Sequence, residues 1–276
     1  MDTKYVFILI CYYNEDEVVS FIHNELGKQQ FKEYSIVIVD NGSHNPFILE
    51  KETDNNHIFL FTPEKNLGYF GGAEFGLLKY TEVKFELPDF VVISNTDIHF
   101  EDAGLLNLMY NKYNDRDEDI FGIDILSSLN GQHQNPYIPE RISRKKMEFF
   151  LQITSDTLKY NAFLLLYYAK NKLKGILQKT GNSAYSKEGR VYSIHGSFMI
   201  FAKSYFLKGG NFSYDSFLFC EEIFIGEVAR IKKMNVYYDP SFRIIHREHS
   251  TTGVFKKARD VKFMHESYQY ILENYY

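Results

Sequence analysis

The strongest constraint on the fold is a regular alternation, in the first half of the chain, between short apolar runs and longer amphipathic segments. The apolar runs are rich in β-branched and aromatic residues and cover Tyr5–Cys11, Tyr34–Asp40, His57–Thr62 and Phe90–Ser94. The segments with a helical pattern are Glu15–Gly27, Gly72–Tyr80 and Asp102–Tyr113. Apolar runs separated by helices are typical of βαβ units, whose parallel strands are covered on both faces. We therefore predict an α/β fold with a Rossmann-like, mostly parallel central sheet flanked by helices.

Residues 130–190 differ from the first half, because long segments with a helical pattern replace the short strand-like runs. The apolar run Ala162–Ala169 is far shorter than the ~20 residues that a bilayer span requires. We predict one domain over residues 1–250 with a helical insertion at 130–190, followed by a helical tail at 251–276. Basic residues surround the apolar run, namely Arg141, Arg144, Lys145, Lys146, Lys170, Lys172, Lys174 and Lys179. Two interpretations stay open: an apolar stripe packed on the core, or a peripheral contact with an anionic membrane surface or acceptor.

Strand-like runs resume after residue 190, at Tyr192–Ala202, Val236–Tyr238 and Phe242–His246. The first run contains residues 195–197, where His, Gly and Ser interrupt the apolar text. We predict strands at all three runs, with residues 195–197 inside the first.

Composition excludes several classes of function. The chain has 36 acidic and 31 basic residues, and its formal net charge of −5 argues against nucleic-acid binding through the overall field. Its two cysteines, Cys11 and Cys220, lack the spacing of a zinc site or a disulfide scaffold. The apolar run near the N-terminus is too short for a signal peptide and has the wrong flanks. These features predict a cytoplasmic protein, with the inner face of the cell membrane as an alternative location.

Polar residues follow the second predicted strand as Asp40, Asn41, Gly42 and Ser43. Asn-Gly is a strong turn dipeptide, so a tight turn explains this text. The carboxyl edge of a parallel sheet is also where α/β proteins bind ligands, and an acid beside an amide can pair with the edge of a nucleobase. The residues alone leave both interpretations open.

A glycine-rich stretch, EKNLGYFGGAEFG, covers residues 64–76 and leads into a predicted helix. Glycines allow close approach of backbone to a ligand, and a helix N-terminus attracts phosphate. The spacing is not GxGxxG, because Phe70 occupies the second glycine position, and no P-loop lysine follows. Close packing of the helix on a strand is the alternative explanation of the glycines.

Asn95 and Asp97 follow the predicted strand Phe90–Ser94. A carboxylate at that position can hold Mg²⁺ or Mn²⁺, which prefer oxygen ligands and share them with substrate phosphates. An aspartate that caps the next helix would give the same pattern.

Glu221 and Glu222 lie side by side in apolar text, and His246 ends the last predicted strand. Adjacent carboxylates raise one another's pKa, which suits a general base for a hydroxyl group. Acids in a solvated first turn of a helix are the alternative. The histidine can complete a metal or diphosphate site, or simply be a partly buried core residue.

Five segments, taken in chain order, resemble the family 2 inverting glycosyltransferases of the GT-A fold, and particularly their rhamnosyltransferase-like branch, which acts on bacterial surface polysaccharides. These segments are IVIVDNGSHN, KNLGYFGGAEFGL, VVISNTDI, IHGSFMIFAKSYFLKGGNFSYDSFLFCEEIFIG and IIHREHST. The resemblance covers residues 4 to about 250 and is weakest over 130–190. It implies a nucleotide diphosphate sugar donor (UDP- or TDP-sugar), a glycan or lipid-linked acceptor, and Mg²⁺ or Mn²⁺.

The resemblance also implies roles for single residues. Asp40 is similar to the acid that contacts the nucleobase, Asp97 to the last acid of the metal motif with His246 beside it, and Glu222 to the catalytic base next to Glu221. The other donor-binding residues that it implies are Tyr12, Asn14, Asn41, Asn66, Gly68 and Asn95. The acceptor cleft that it implies is lined by His195, Gly196 and Ser197.

The chain departs from the family pattern at three positions. Asn95 replaces the first acid of the metal motif, Glu222 replaces the usual Asp, and Phe224 replaces an acid often found two residues later. A non-catalytic nucleotide-sugar binding subunit therefore remains an alternative. A sugar nucleotidyltransferase is a second alternative, although CYYNEDEV follows the first strand where such enzymes carry a Gly-rich, Arg-containing loop.

Overall fold

One mixed β-sheet organises the protein. The computed structural model describes residues 3–42, 57–177, 185–248 and 255–276, and only the backbone of 171–177. Ser43 and Lys179 of the sequence predictions lie outside these residues, as do the side chains of Lys172 and Lys174. The strands within the described part are β1 (Tyr5–Cys11), β2 (Tyr34–Asp40), β3 (Ile58–Phe61), β4 (Phe90–Ser94), β5 (Ile98–His99), β6 (Ile120–Ser127), β7 (Gly189–Arg190), β8 (Phe198–Ala202) and β9 (Val236–His246).

Helices cover both faces of this sheet. They are α1 (Glu15–Asn24), α2 (Gly68–Lys84), α3 (Leu105–Tyr113), α4 (Arg144–Thr154), α5 (Thr157–Leu177), α6 (Lys203–Leu207), α7 (Glu221–Ile231) and α8 (Ala258–Tyr275). None of those described helices is long and apolar enough to cross a membrane.

The strand order is β3-β2-β1-β4-β8-β6-β9-β5, and β7 pairs with β9. The first four strands in this order are parallel, whereas β8 runs antiparallel to both β4 and β6. Beyond β8, β6 and β9 are parallel to each other. The predicted α/β fold with a central sheet flanked by helices is confirmed, and its parallel half is the one predicted from the sequence.

The continuous apolar run of β1 reflects burial on both faces. Tyr5, Phe7 and Leu9 enter one hydrophobic cluster with α1 and α3, while Val6 and Ile8 enter a second cluster with α2 and α7. Alternate side chains of a strand point to opposite faces, so a strand covered twice must be apolar at every position.

Close packing explains one of the glycines in the 64–76 stretch. A Cβ on Gly76 would lie 2.6 Å from Val39 Cγ2, so the absent side chain lets α2 approach β2. The packing interpretation therefore holds for this glycine.

Residues 195–197 are not in a strand, which corrects the prediction for Tyr192–Ala202. The His195 N–H donates to Asn135 Oδ1 (2.7 Å), and the Ser197 N–H turns back to His195 Nδ1 (3.2 Å). These backbone donors bond to side chains instead of to a neighbouring strand, so pairing with β4 begins only at Phe198.

The last two predicted strands are joined, which is a second correction. Val236–His246 is one strand that continues through Pro240, and its register against β6 shifts between Ile123 and Asp124. A bulge of this kind accommodates a proline because the local ladder is already interrupted.

The helical insertion and the tail pack together. Helix α8 lies against α4, α5 and α7, with Ile271 in the core. Arg141 Nη2 donates to the Tyr275 carbonyl (2.9 Å), and Tyr276 Oη donates to the Ile142 carbonyl (2.7 Å). The predicted domain limits stay a prediction.

Candidate active site

A cavity of about 550 Å³ opens at the edge of the sheet where β1, β2 and β4 end. Asp97 lines it, and so do six of the predicted donor-binding residues, which are Tyr12, Asn14, Asn41, Asn66, Gly68 and Asn95. Asp40 ends β2 next to this cavity but is only 1% exposed and does not line it. The carboxyl ends of parallel strands thus bring together residues from four separate segments, as expected for an α/β ligand site.

Two amide side chains hold the start of α2 at this cavity. Asn41 Nδ2 donates to the Gly68 carbonyl and Asn41 Oδ1 accepts from the Leu67 N–H, both at 2.8 Å. Asn66 Oδ1 accepts from the Gly68 N–H at 2.9 Å. The turn interpretation also holds, because the Gly42 N–H donates to the Asp40 carbonyl (2.9 Å). The local turn therefore places a helix N-terminus, which favours anions, at the wall of the cavity.

Gly68 is required at the first position of α2. Its φ is +75°, and a Cβ would overlap the carbonyl oxygen of Phe217. Phe217 also lines the cavity, and its ring contacts that of Phe263 from α8 at a centroid distance of 4.9 Å. Arg259, one helical turn earlier on α8, adds a cation to the lining.

Asp97 and His246 meet because β5, which follows Asp97, pairs with the end of β9. His246 Nε2 lies 3.2 Å from Asp97 Oδ1. Gln134 and Glu248 fix the orientation of the His246 ring. Gln134 Nε2 donates to Glu248 Oε1 (3.0 Å), which leaves Gln134 Oε1 facing His246 Nδ1 at 2.9 Å. A carbonyl oxygen only accepts, so Nδ1 carries a proton. The other ring nitrogen, Nε2, therefore faces the Asp97 carboxylate.

The donor set at this point determines which metal it can hold. Among the described residues, no group of three or more His, Cys, Asp or Glu side chains is arranged to hold a metal ion by itself. Asn95 Oδ1 is neutral and accepts from Tyr69 Oη (3.0 Å), so it is a weaker cation ligand than a carboxylate at this position. One carboxylate and one imidazole fit a divalent cation that takes its other ligands from a diphosphate and water.

The predicted catalytic and acceptor residues also lie together. The Gly196 N–H donates to Glu222 Oε1 (3.2 Å), and Ser193 Oγ donates to the Glu222 carbonyl. Glu221 is oriented differently, since its Oε1 accepts from the Phe219 N–H (3.0 Å) and the residue is buried. Of the two carboxylates, Glu222 is therefore the one directed at residues 195–197.

Tyr69 joins the two halves of the site, and sequence reasoning missed it. Its Oη lies 3.0 Å from Asn95 Oδ1 and 3.2 Å from the Gly196 carbonyl. The Asn95 N–H in turn donates to the Ser197 carbonyl (2.8 Å). Burial, with nearby carboxylates adding to it, raises the pKa of Tyr69, so the phenol remains a donor. The position of Tyr69 within the glycine-rich stretch KNLGYFGG could have indicated that it belongs to the site. Arg259 and Phe263 also line the cavity, but nothing in the sequence around them indicates this.

Burial also shifts the acids and the imidazole of the site. It raises the pKa of Glu222, although the Gly196 N–H opposes the shift, and it raises the pKa of Glu221, to which the Glu222 charge adds. Burial, with the charge of His246, lowers the pKa of His195 to about 4. His195 is therefore neutral near pH 7, with Nδ1 accepting from Ser197 and the proton on Nε2.

Several solved structures of glycosyltransferases match the fold of this chain. GalNAc-T7, crystallised with UDP, GalNAc and Mn²⁺, matches at a TM-score of 0.56 and 12% identity over 92% of this chain and 46% of its own. S. aureus TarS matches at 0.56 and 14% identity over 89% and 37%. The mannosyltransferase PcManGT from Pyrobaculum calidifontis, in complex with GDP-Man and Mn²⁺, matches at 0.52 and 11% identity over 99% and 71%. The chain spans less than half the length of the first two, and these likenesses show the GT-A fold alone.

Sequence comparison places the chain more closely. No curated protein sequence matches it significantly. The family model described as Glycosyl transferase family 2 matches residues 7–169, which is more than half of the chain. The predicted rhamnosyltransferase-like branch stays a prediction. Because the matched region covers more than half of the chain, the protein belongs to glycosyl transferase family 2.

Proposed function

We propose that this protein transfers a sugar from a nucleotide diphosphate sugar to an acceptor hydroxyl, with inversion at the anomeric carbon. The observation that carries the proposal is the continuity of the site. The ends of β1, β2 and β4 line one cavity, and the Tyr69 hydroxyl connects that cavity to the segment that holds Glu222. A donor and an attacking hydroxyl need such adjacent positions.

The donor is a UDP- or TDP-sugar in this proposal. Its diphosphate lies over the N-terminus of α2 and near Arg259, both of which favour negative charge. Its base lies toward the end of β2, where Asn41 lines the cavity and Asp40 is the acid implied by the resemblance. UDP and GDP-Man, bound in two of the matching structures, support a nucleotide-linked sugar donor in general.

Asp97 and His246 would hold Mg²⁺ or Mn²⁺ together with the donor. Such an ion supplies charge stabilisation for the departing diphosphate. Mn²⁺ in two of the matching structures supports this assignment. The protein groups contribute the rest: the α2 N-terminus binds the anion, and Gln134 with Glu248 fixes the imidazole.

Glu222 acts as the general base. Its carboxylate accepts the proton of the acceptor hydroxyl, and the oxygen attacks the anomeric carbon as the bond to the diphosphate breaks on the opposite side. The raised pKa makes the ionised carboxylate a stronger base than an exposed one. His195, Gly196 and Ser197 line the acceptor side, and neutral His195 keeps an Nε2–H donor for a sugar hydroxyl. A single displacement of this kind inverts the configuration.

The resemblance of the five segments further supports a cytoplasmic role in bacterial surface polysaccharide synthesis, with a glycan or lipid-linked acceptor.

Glu222→Gln tests the proposal, because the amide keeps the shape and the Gly196 contact but cannot take a proton. Thermal shifts with UDP-, TDP- and GDP-sugars, with and without Mn²⁺, identify the donor first. Release of nucleoside diphosphate from that donor then measures turnover, and NMR of the product reports the anomer. We expect Glu222→Gln to retain the donor-induced shift and to lose turnover by ~10²-fold or more.

Glu221→Gln is the matched control, since it changes a neighbouring carboxylate that faces away from residues 195–197. Equal losses in both variants would contradict the assignment of the base. A wild-type protein that binds a donor but never releases nucleoside diphosphate would instead be a binding subunit.

A further inference from the structure

Helix α5 presents apolar side chains to solvent along one face. Leu158, Leu165 and Leu166 are 80%, 52% and 72% exposed, and Ala162 and Ala169 are also exposed. Residues separated by three or four positions lie on the same face of a helix. These five residues, here called the outer ridge, therefore form a continuous apolar stripe that faces away from the protein.

The opposite face of α5 is anchored, so the helix cannot rotate to bury the outer ridge. Asn161 Nδ2 donates to the Lys256 carbonyl (3.1 Å), and Asn161 Oδ1 accepts from the Lys256 N–H (2.9 Å). The Phe163 ring packs on that of Phe149 from α4 at a centroid distance of 5.7 Å. Of the two interpretations of this apolar text, core packing applies to the inner face alone.

The charge of α5 selects the kind of partner. Residues 157–177 contain four lysines and no acidic residue, although the whole chain carries a net charge of −5. Lys159 and Lys170 are exposed and lie along one border of the outer ridge, since each is one position from a ridge residue. An exposed apolar stripe bordered by lysines suits the headgroup region of an anionic bilayer, where apolar burial and charge attraction act together.

We propose that α5 binds an anionic lipid surface by inserting the outer ridge into the headgroup region, with Lys159 and Lys170 at the level of the phosphates. This interaction does not depend on the proposed sugar transfer.

Vesicle cosedimentation of the full chain tests the proposal. The probes are vesicles of phosphatidylglycerol with phosphatidylcholine, and vesicles of phosphatidylcholine alone. We expect binding to the first, weakened by added salt, and at least ~10-fold weaker binding by the double variant Leu165→Glu/Leu166→Glu. Lys159→Gln/Lys170→Gln should also weaken binding to anionic vesicles.

Leu78→Glu/Leu207→Glu is the matched control, because it introduces the same charge at two exposed leucines on α2 and α6. We expect this control to bind vesicles within about twofold of wild type. Unfolding temperature establishes that each variant is folded.

Three results would overturn the proposal. The first is failure of the folded wild type to bind anionic vesicles. The second is equal vesicle binding by the ridge variant and the control. The third is a dimer in light scattering that Leu165→Glu/Leu166→Glu dissociates while no vesicle binding is seen, which would assign the outer ridge to a second copy of the chain.

Discussion

Gly68→Ala should be far more damaging than an ordinary glycine substitution. The residue has φ of +75°, a region that costs a residue with a side chain about 1–2 kcal/mol. The new Cβ would also overlap the Phe217 carbonyl, and relieving such an overlap typically costs about 1–3 kcal/mol. The two effects together give a loss of about 2–5 kcal/mol in the free energy of unfolding.

For a chain of this size that loss corresponds to a fall in Tm of about 5–15 °C, which differential scanning calorimetry measures directly. Donor binding should weaken as well, because Gly68 starts α2 and Phe217 forms part of the cavity wall. Thermal shifts with the identified nucleotide sugar measure that second effect.

Gly71→Ala is the matched control within the same helix. Its Cβ would meet only Leu67 Cβ, at 3.2 Å, and its backbone is helical. Ala is favoured over Gly inside a helix by about 0.5–1 kcal/mol, so Tm should stay the same or rise. Equal values of Tm for the two variants would refute the backbone geometry on which this reasoning rests.

Three further substitutions test the site. Tyr69→Phe should lower kcat/KM by about 5- to 100-fold with a smaller effect on Tm. The reason is that the lost hydroxyl bridges the donor and acceptor sides and its removal leaves two acceptors unpaired. An unchanged kcat/KM would show that the Tyr69 hydroxyl does not contribute to the reaction. Gln134→Leu should raise the Mn²⁺ concentration required for the donor-induced thermal shift by about 10-fold or more, because His246 loses its orienting acceptor; no change would argue against His246 as a ligand. Glu221→Gln should raise Tm at pH 8 more than at pH 5. Burial and the charge of Glu222 raise the folded-state pKa of Glu221 above its unfolded value, so ionisation of Glu221 destabilises the folded protein as pH rises. Equal changes in Tm at both pH values would contradict the raised pKa.

The strands of the parallel half were predictable because their burial is complete. β1, β2 and β4 were assigned with correct limits, since a strand covered on both faces must be apolar throughout. β6 was missed although it is as deeply buried, because Asp124 interrupts its apolar text. That aspartate is tolerated in the core because His133 Nδ1 and Arg243 Nε each lie 2.7 Å from its carboxylate. Such partners are close only in the folded chain, so local sequence does not reveal them.

In the site, too, features set by local sequence were predictable and features set by distant partners were not. Residues at strand ends were predictable, since parallel strands share one carboxyl edge, and six predicted donor residues line one cavity. The conformation of residues 195–197 was not predictable, because it depends on the distant residue Asn135. The Asn135 side chain donates through Nδ2 to the Ile123 carbonyl and accepts a hydrogen bond from the His195 N–H through Oδ1. Helix α8 reaches the cavity only through long-range packing, which explains why Arg259 gave no signal in the sequence.

The departure at Asn95 acquires a physical meaning from these contacts. An acid at this position would add negative charge beside Asp97 and beside Tyr69, whose pKa is already raised by burial and surrounding carboxylates. A neutral amide instead accepts a hydrogen bond from the Tyr69 hydroxyl and leaves the phenol within reach of the Gly196 carbonyl. Because Gly196 also donates to Glu222, the amide connects the edge of the cavity to the carboxylate that we propose as the general base. In the proposed mechanism, position 95 thus supplies a link between the two halves of the site instead of a second acidic metal ligand, and the cation would be held mainly by the donor itself.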